Sequence, residues 1–325
     1  MYNLVKGSDR MKLIFLVILV LFAIVVFISY CCYRMAFYVR RGPVDDSIHT
    51  PEGEIYDPYR NDMVRWILET RQMKTEDFYI QSDDGLKLHG RFYEFAPGAP
   101  IELMFHGYRG SAERDLSGGV QRCFKLGRSA LLVDQRCSNE SDGRMITFGI
   151  KEHKDCLRWV DFMIGHFGPD VKIILCGISM GASTVMMAAG HELPKNVIGV
   201  LADCGFNCAK DIMYSVIHDM GLPPAICYPF VKLGARIFAG FDLEEYSAQD
   251  AMQTCSVPVI FFHGMDDDFV PCWMSQKCYD MCNSKKEILL VPGAGHGLSY
   301  PVAPQQYLSA LKQFFGPEAS AKIDE

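Results

Sequence analysis

The chain predicts an α/β fold: a mostly parallel central sheet covered by helices on both faces, with a helical insertion late in the domain and one apolar helix at the N-terminus. Three observations predict it. Nearly continuous apolar runs alternate with helix-length segments, the pattern of strands buried on both faces. One such run passes through Gly177-Ile178-Ser179-Met180-Gly181 into small, helix-forming residues, so strand, tight turn and helix follow directly. Leu13 to Tyr33 is an uncharged run of 21 residues, about 32 Å long as a helix and so matched to a bilayer core.

Taken in order, residues 1–12 read as a tail and 13–33 as a transmembrane anchor, with Tyr30 and Tyr33 where interfacial aromatics sit. The run exceeds the usual apolar region of a signal peptide, and Tyr30-Cys31-Cys32-Tyr33 offers no small-x-small cleavage site. Lys6, Arg10 and Lys12 before the span are matched by Arg34, Arg40 and Arg41 after it, so the charge rule assigns no side of the membrane. Residues 34–60, rich in Pro, Asp, Gly and Glu, read as a linker that holds the catalytic domain off the membrane.

Residues 61–318 read as that domain and 319–325 as a C-terminal tail. Asn61 or Asp62 caps a first helix whose apolar face, Met63, Val64, Ile67 and Leu68, covers the sheet edge. A hairpin turns at Asp83-Asp84-Gly85. Strands follow at Ile101 to Phe105, Ala130 to Asp134, Val171 to Cys176, Val197 to Ala202, Val257 to Phe262 and Glu287 to Val291. Between about 205 and 250 the alternation breaks into two helices, Ala209 to Met220 and Pro224 to Ala239, rich in Met, Tyr, Phe and Ile. They read as a cap that lines an apolar substrate pocket, or that packs onto the main domain.

Composition excludes other classes. The net charge of −7 comes without a basic block that could neutralise phosphates, so nucleic acid is not a partner. Thirteen cysteines, an odd number spread through strands and helices without Cys-x-x-Cys or paired Cys/His spacing, read as buried small hydrophobes rather than a disulfide framework or zinc site.

A serine hydroxyl is a weak nucleophile at neutral pH and needs a base in hydrogen-bond reach and a group to orient that base. Two loops at the carboxyl ends of late strands supply both: His263-Gly264-Met265-Asp266-Asp267-Asp268 and Pro292-Gly293-Ala294-Gly295-His296-Gly297. Ser179 is thus the expected nucleophile, His296 the general base and Asp267 the acid that orients it. The oxyanion is expected to meet the backbone N–H of Met180, after the nucleophile, and of Tyr108, in His106-Gly107-Tyr108-Arg109 behind an early strand. His106 and His263 read as loop-shaping residues, and Arg109 as a solvated cation or a contact for an anionic substrate.

These motifs, with Asp134-Gln135-Arg136 and Ile146-Thr147-Phe148-Gly149, resemble the α/β-hydrolase superfamily from about Glu76 to Phe315. Within it the chain is similar to bacterial membrane-anchored serine hydrolases of the S33-like aminopeptidase and acyl-hydrolase branch. One departure is Cys137-Ser138-Asn139, where relatives carry a small residue and His-Gly; Asn139 tolerates the left-handed turn that this loop needs.

The resemblance implies a membrane-anchored serine hydrolase that cleaves a carboxylic ester or thioester, with an apolar acyl group, through an acyl-enzyme. It needs no metal or organic cofactor. Its substrate is expected to be a small, lipid-like molecule or a short peptide, and its oligomeric state is unassigned. The nearest alternative is a serine aminopeptidase or amidase, for which Glu244 and Glu245 are candidate binders of a peptide amino terminus. A catalytically silent binding module is the remaining alternative.

Overall fold

The computed structural model describes residues 2–42 and 47–321. Met1, residues 43–46 of the expected linker, residues 322–325 of the expected tail, and the side chains of residues 2–9 (Lys6 among them) and of Glu318 lie outside the described set.

The apolar runs form the strands β1 (Glu76–Gln81), β2 (Lys87–Tyr93), β3 (Ile101–Phe105), β4 (Ser129–Asp134), β5 (Ile173–Ile178), β6 (Val197–Asp203), β7 (Val259–Gly264) and β8 (Lys286–Val291). The helices are α1 (Tyr2–Ala36), α2 (Arg60–Gln72), α3 (Ala112–Lys125), α4 (Glu152–Phe167), α5 (Met180–Ala189), α6 (Ala209–Asp219), α7 (Pro224–Gly234), α8 (Ala248–Thr254), α9 (Trp273–Met281), α10 (Ser299–Val302) and α11 (Pro304–Phe315). The strands make one sheet in the order β1-β2-β4-β3-β5-β6-β7-β8. β2 is antiparallel to both its neighbours, and the pairings from β4 through β8 are parallel.

Alternation along each strand divides the core into two layers. Leu103, Phe105 and Leu131 face Trp159 of α4, Val185 of α5 and Met274 of α9, whereas Met104 and Leu132 face Leu116 of α3 and Tyr307 of α11. Such two-sided burial explains why these strands read as continuous apolar runs.

The N-terminal region departs from the expected spacer. Among the described residues, Arg10–Ala36 of α1 is the one stretch long and apolar enough to cross a membrane. Its last turns are packed: Ser29 is buried against Gly234 of α7, where a Cβ would stand 2.4 Å from the Ser29 carbonyl oxygen. Tyr30 and Tyr33, expected at a lipid interface, instead meet the ring of Phe238 at centroid distances of 5.2 and 5.7 Å. Beyond α1, Phe37 is fully buried between Phe148 and Phe241, and the Val39 N–H donates to the Arg144 carbonyl at 2.8 Å.

The segment 34–60 is therefore not a free linker. Phe37 enters the core with Ala36, Tyr38 and Val39 packed beside it, and Glu54–Tyr59 forms a 3-10 helix that runs straight into α2. Neither Asn61 nor Asp62 caps that helix, because Tyr59 occupies the N-cap. Instead of covering the sheet edge, α2 packs on α3, with Trp66 filling the space above Gly118. At the other end Ala319 is buried and its carbonyl accepts from Arg128 Nε at 2.6 Å, so the expected tail begins packed.

Candidate active site

The elbow is set by backbone geometry. Ser179 sits at φ 57°, ψ −122°, between the end of β5 and the first residue of α5. So sharp a reversal leaves no room beside it: a Cβ on Gly181 would lie 2.0 Å from the Phe105 carbonyl oxygen, and one on Gly177 would lie 2.2 Å from the Gly181 carbonyl carbon. The Ser179 N–H is held by the Asp203 carbonyl at 2.8 Å.

The structure brings Ser179, His296 and Asp267 together. Ser179 Oγ lies 2.9 Å from His296 Nε2, and His296 Nδ1 lies 2.7 Å from Asp267 Oδ2. A carboxylate beside Nδ1 assigns the proton to that nitrogen, which leaves the Nε2 lone pair for the serine proton. Asp267 Oδ1 accepts the N–H groups of Phe269 and Val270 at 3.0 and 2.8 Å. Burial pushes the Asp267 carboxyl up, but hydrogen bonds from His263 and His296 outweigh it and hold the pKa at about 2.

His263 has a larger part than loop shaping. Its Nε2 lies 2.7 Å from the Val270 carbonyl oxygen and 3.2 Å from Asp267 Oδ2, and its Nδ1 lies 2.7 Å from Ser275 Oγ, so it braces the acid from behind. The other expected shaper, His106, places Nδ1 2.8 Å from the Gly107 carbonyl oxygen and accepts the Gln135 N–H at Nε2.

Met180 opens α5, so its N–H has no intrahelical acceptor and is available beside Ser179. Asp115 Oδ2 accepts the Gly107 N–H at 3.0 Å, and a Gly107–Gly110 turn carries Tyr108, which lines the same cavity as Ser179. A Cβ on Gly107 would stand 3.7 Å from Ser179 Oγ. The Tyr108 hydroxyl donates to the Ala36 carbonyl at 2.8 Å, and Arg109 donates to the carbonyls of Met35 and Tyr38 at 2.8 and 3.2 Å. Arg109 thus caps α1 from a solvent-exposed position, one of its two expected roles, and does not line the cavity beside Ser179. Asn139 takes φ 40° and donates to Asp134 Oδ1 at 2.9 Å, so the departing loop keeps its turn.

Ser179 and His296 line a cavity of about 710 Å³. Its walls are residues 51–56, Met63 and Trp66 of α2, and one side of α3; no residue of the insertion 205–250 lines it. The expected cap pocket is therefore corrected. The insertion spends its apolar side chains elsewhere, Ile212, Met213, Ile217 and Val231 on the main core and α7 on α1. Glu244 accepts from Tyr228 Oη and pairs with Lys232 Nζ, both at 2.8 Å, and neither it nor Glu245 lines the cavity.

Two neighbours carried no sequence signal. Tyr56 donates through its hydroxyl to the His296 carbonyl at 3.0 Å from a segment without periodicity. The Cys204 sulfur and the ligand atoms of Asp267 and His296 lie within 4.8 Å of one another. That is metal-ligand spacing, but burial drives the thiol pKa well up and Asp267 and His296 are bonded to each other, so the donors fit a proton relay better than an ion.

Known proteins are similar to this chain. The Bacillus subtilis (strain 168) protein YqkD is 24% identical over 307 residues, covering 94% of this chain and 97% of its own. The solved Pyrococcus furiosus esterase Pf2001 superposes with a TM-score of 0.64 at 20% identity, over 86% of this chain and 97% of that one. Est1E from Butyrivibrio proteoclasticus, solved with ferulic acid bound, gives 0.56 at 21% identity, over 73% and 97%. These structures share the α/β-hydrolase fold. Residues 146–321, more than half of the chain and the part that carries Ser179, Asp267 and His296, match the model of the prolyl oligopeptidase family, and the chain belongs to that family of serine hydrolases.

Proposed function

We propose that this serine hydrolase cleaves a carboxylic ester or thioester bearing an apolar acyl group. Ser179 attacks the carbonyl, His296 takes the hydroxyl proton and returns it to the leaving group, and Asp267 holds the imidazolium. The N–H groups of Tyr108 and Met180 stabilise the oxyanion, and water deacylates the enzyme by the same route in reverse. The observation that carries this reading is the continuous relay from Ser179 Oγ to Asp267 at the wall of a large, partly apolar cavity. The prolyl oligopeptidase match favours a second reading, cleavage of amides in short peptides. Under that reading Glu52 and Glu54, which line the cavity, replace Glu244 and Glu245 as partners for a peptide amino terminus. The S33-like branch remains an expectation from the motifs.

The assignment extends to organisation. Residues 13–33 serve as a single-pass anchor within α1, and the catalytic domain follows on whichever side α1 delivers it. A panel of acyl esters and thioesters of graded length, assayed beside aminoacyl amides, tests the substrate class. Turnover of esters with little on amides is expected, and activity confined to amides overturns the ester reading.

A further inference from the structure

One wall of the cavity holds an unusual charge arrangement. Arg122, on α3 and 6% exposed, lines the same cavity as Ser179 and His296. Its Nη2 donates to Glu102 and, at 3.3 Å, to Cys176 Sγ, but its buried Nε has no hydrogen-bond partner among the described residues. The other oxygen of Glu102 accepts from Arg128 Nη1 at 2.7 Å, so two guanidinium groups share one carboxylate. The nearby Asp203 is a poor counter-charge: Ser299 and Tyr307 occupy its two oxygens at 2.8 and 3.0 Å, and burial pushes its pKa up. Burial likewise keeps the Cys176 thiol neutral, pushing it up to about 12.

Two guanidinium groups on one carboxylate leave a buried positive charge at the cavity wall, which is costly unless a ligand anion offsets it. Given Ser179 as nucleophile, we propose that the cavity accepts acyl groups ending in a carboxylate, and that Arg122 receives that carboxylate. This names the substrate class of the proposed hydrolase and rests on that reading. Cys176, which Arg122 touches, lies on β5 just before the elbow, and Arg122, Cys176 and Ser179 line the same cavity. Met104, Ile178 and Leu201 line the cavity and would flank the methylenes between.

The test uses the full-length protein in detergent. Rates on p-nitrophenyl half-esters of dicarboxylic acids are compared with the p-nitrophenyl esters of the matching monocarboxylic acids, across graded lengths. The half-ester is favoured in kcat/KM by about tenfold or more at the optimum length, as befits a charge-assisted hydrogen bond, and Arg122→Gln brings that ratio to about one. The ratio is internal to each preparation, so partial folding does not distort it. No preference at any length in the wild type, or a preference that survives in Arg122→Gln, overturns the proposal. Thermal stabilisation of the wild type by octanoate but not octanamide is the variant-free measurement, and equal effects count against it. A protein that reacts with a fluorophosphonate but shows neither preference keeps the hydrolase reading and loses the carboxylate site. A protein stabilised by octanoate alone that never reacts keeps the site and loses the hydrolase reading.

Discussion

The hydroxyl of Tyr108 donates to the main-chain carbonyl of Ala36 at 2.8 Å, joining the loop behind β3 to the last turn of α1. The same tyrosine offers the backbone N–H assigned to the oxyanion. The apolar helix is thus bonded to the loop that carries the proposed oxyanion donor. Tyr108→Phe keeps the ring and the backbone but removes this bond, of about 1 kcal/mol. The expected result is a fall in kcat of about fivefold with KM little changed, measured on a short ester. A change confined to KM would place Tyr108 in substrate binding instead.

The contact between α1 and α7 has no slack at Gly234. A methyl group there would press on the Ser29 carbonyl, so Gly234→Ala is expected to destabilise the protein by about 1–3 kcal/mol, a typical cost of overpacking. Thermal unfolding of the full chain in detergent reads this as a lowered Tm. An unchanged Tm would mean that α1 does not rest on α7.

Asp267→Asn preserves shape but reverses the donor at His296 Nδ1. The imidazole then carries its proton on Nε2, facing Ser179, and cannot accept the serine proton. A fall in kcat of about 10⁴-fold is expected, the size seen for the equivalent change in serine proteases. Binding of a non-hydrolysable ester analogue is expected to be retained.

Acid stability follows from the same carboxylate. The folded pKa of Asp267, about 2, lies below the ordinary value near 3.9, so its ionised form stabilises the fold. That contribution, on the order of 2 kcal/mol, is complete above about pH 4 and is lost as pH falls toward 2. Glu102, held at about 2 by Arg122 and Arg128 against the effect of burial, acts in the same window. Urea midpoints measured across this range are expected to drop more steeply in the wild type than in Asp267→Asn. Parallel profiles would remove Asp267 from the account.

How much was legible in the sequence follows from how local each signal is. The elbow was legible because Gly-x-Ser-x-Gly is a local pattern between strand and helix; Gly177 is demanded by its neighbour Gly181, although Gly181 is demanded by Phe105 on β3. Asp267 and His296 were legible because each sits on a turn that ends an apolar strand. The role of the cap stayed open between pocket lining and packing because a helix rich in Met, Tyr and Ile looks alike whether it faces a cavity, the core or another helix. The region after the anchor was misread for its Pro and Asp content, although the run Met35-Ala36-Phe37-Tyr38-Val39 between two arginines signalled burial. His263 braces Asp267 across a tight loop, a contact that no helix or strand period encodes.

The account stands most directly on the chemistry at Ser179. Labelling of the full-length protein by a fluorescent fluorophosphonate, read beside hydrolysis of a short p-nitrophenyl ester, measures it. The wild type is expected to label and turn over, while Ser179→Ala does not label and loses at least about 10⁴-fold in kcat. A folded wild type that stays unlabelled, or a Ser179→Ala variant that labels equally, would contradict the assignment of Ser179 as the nucleophile.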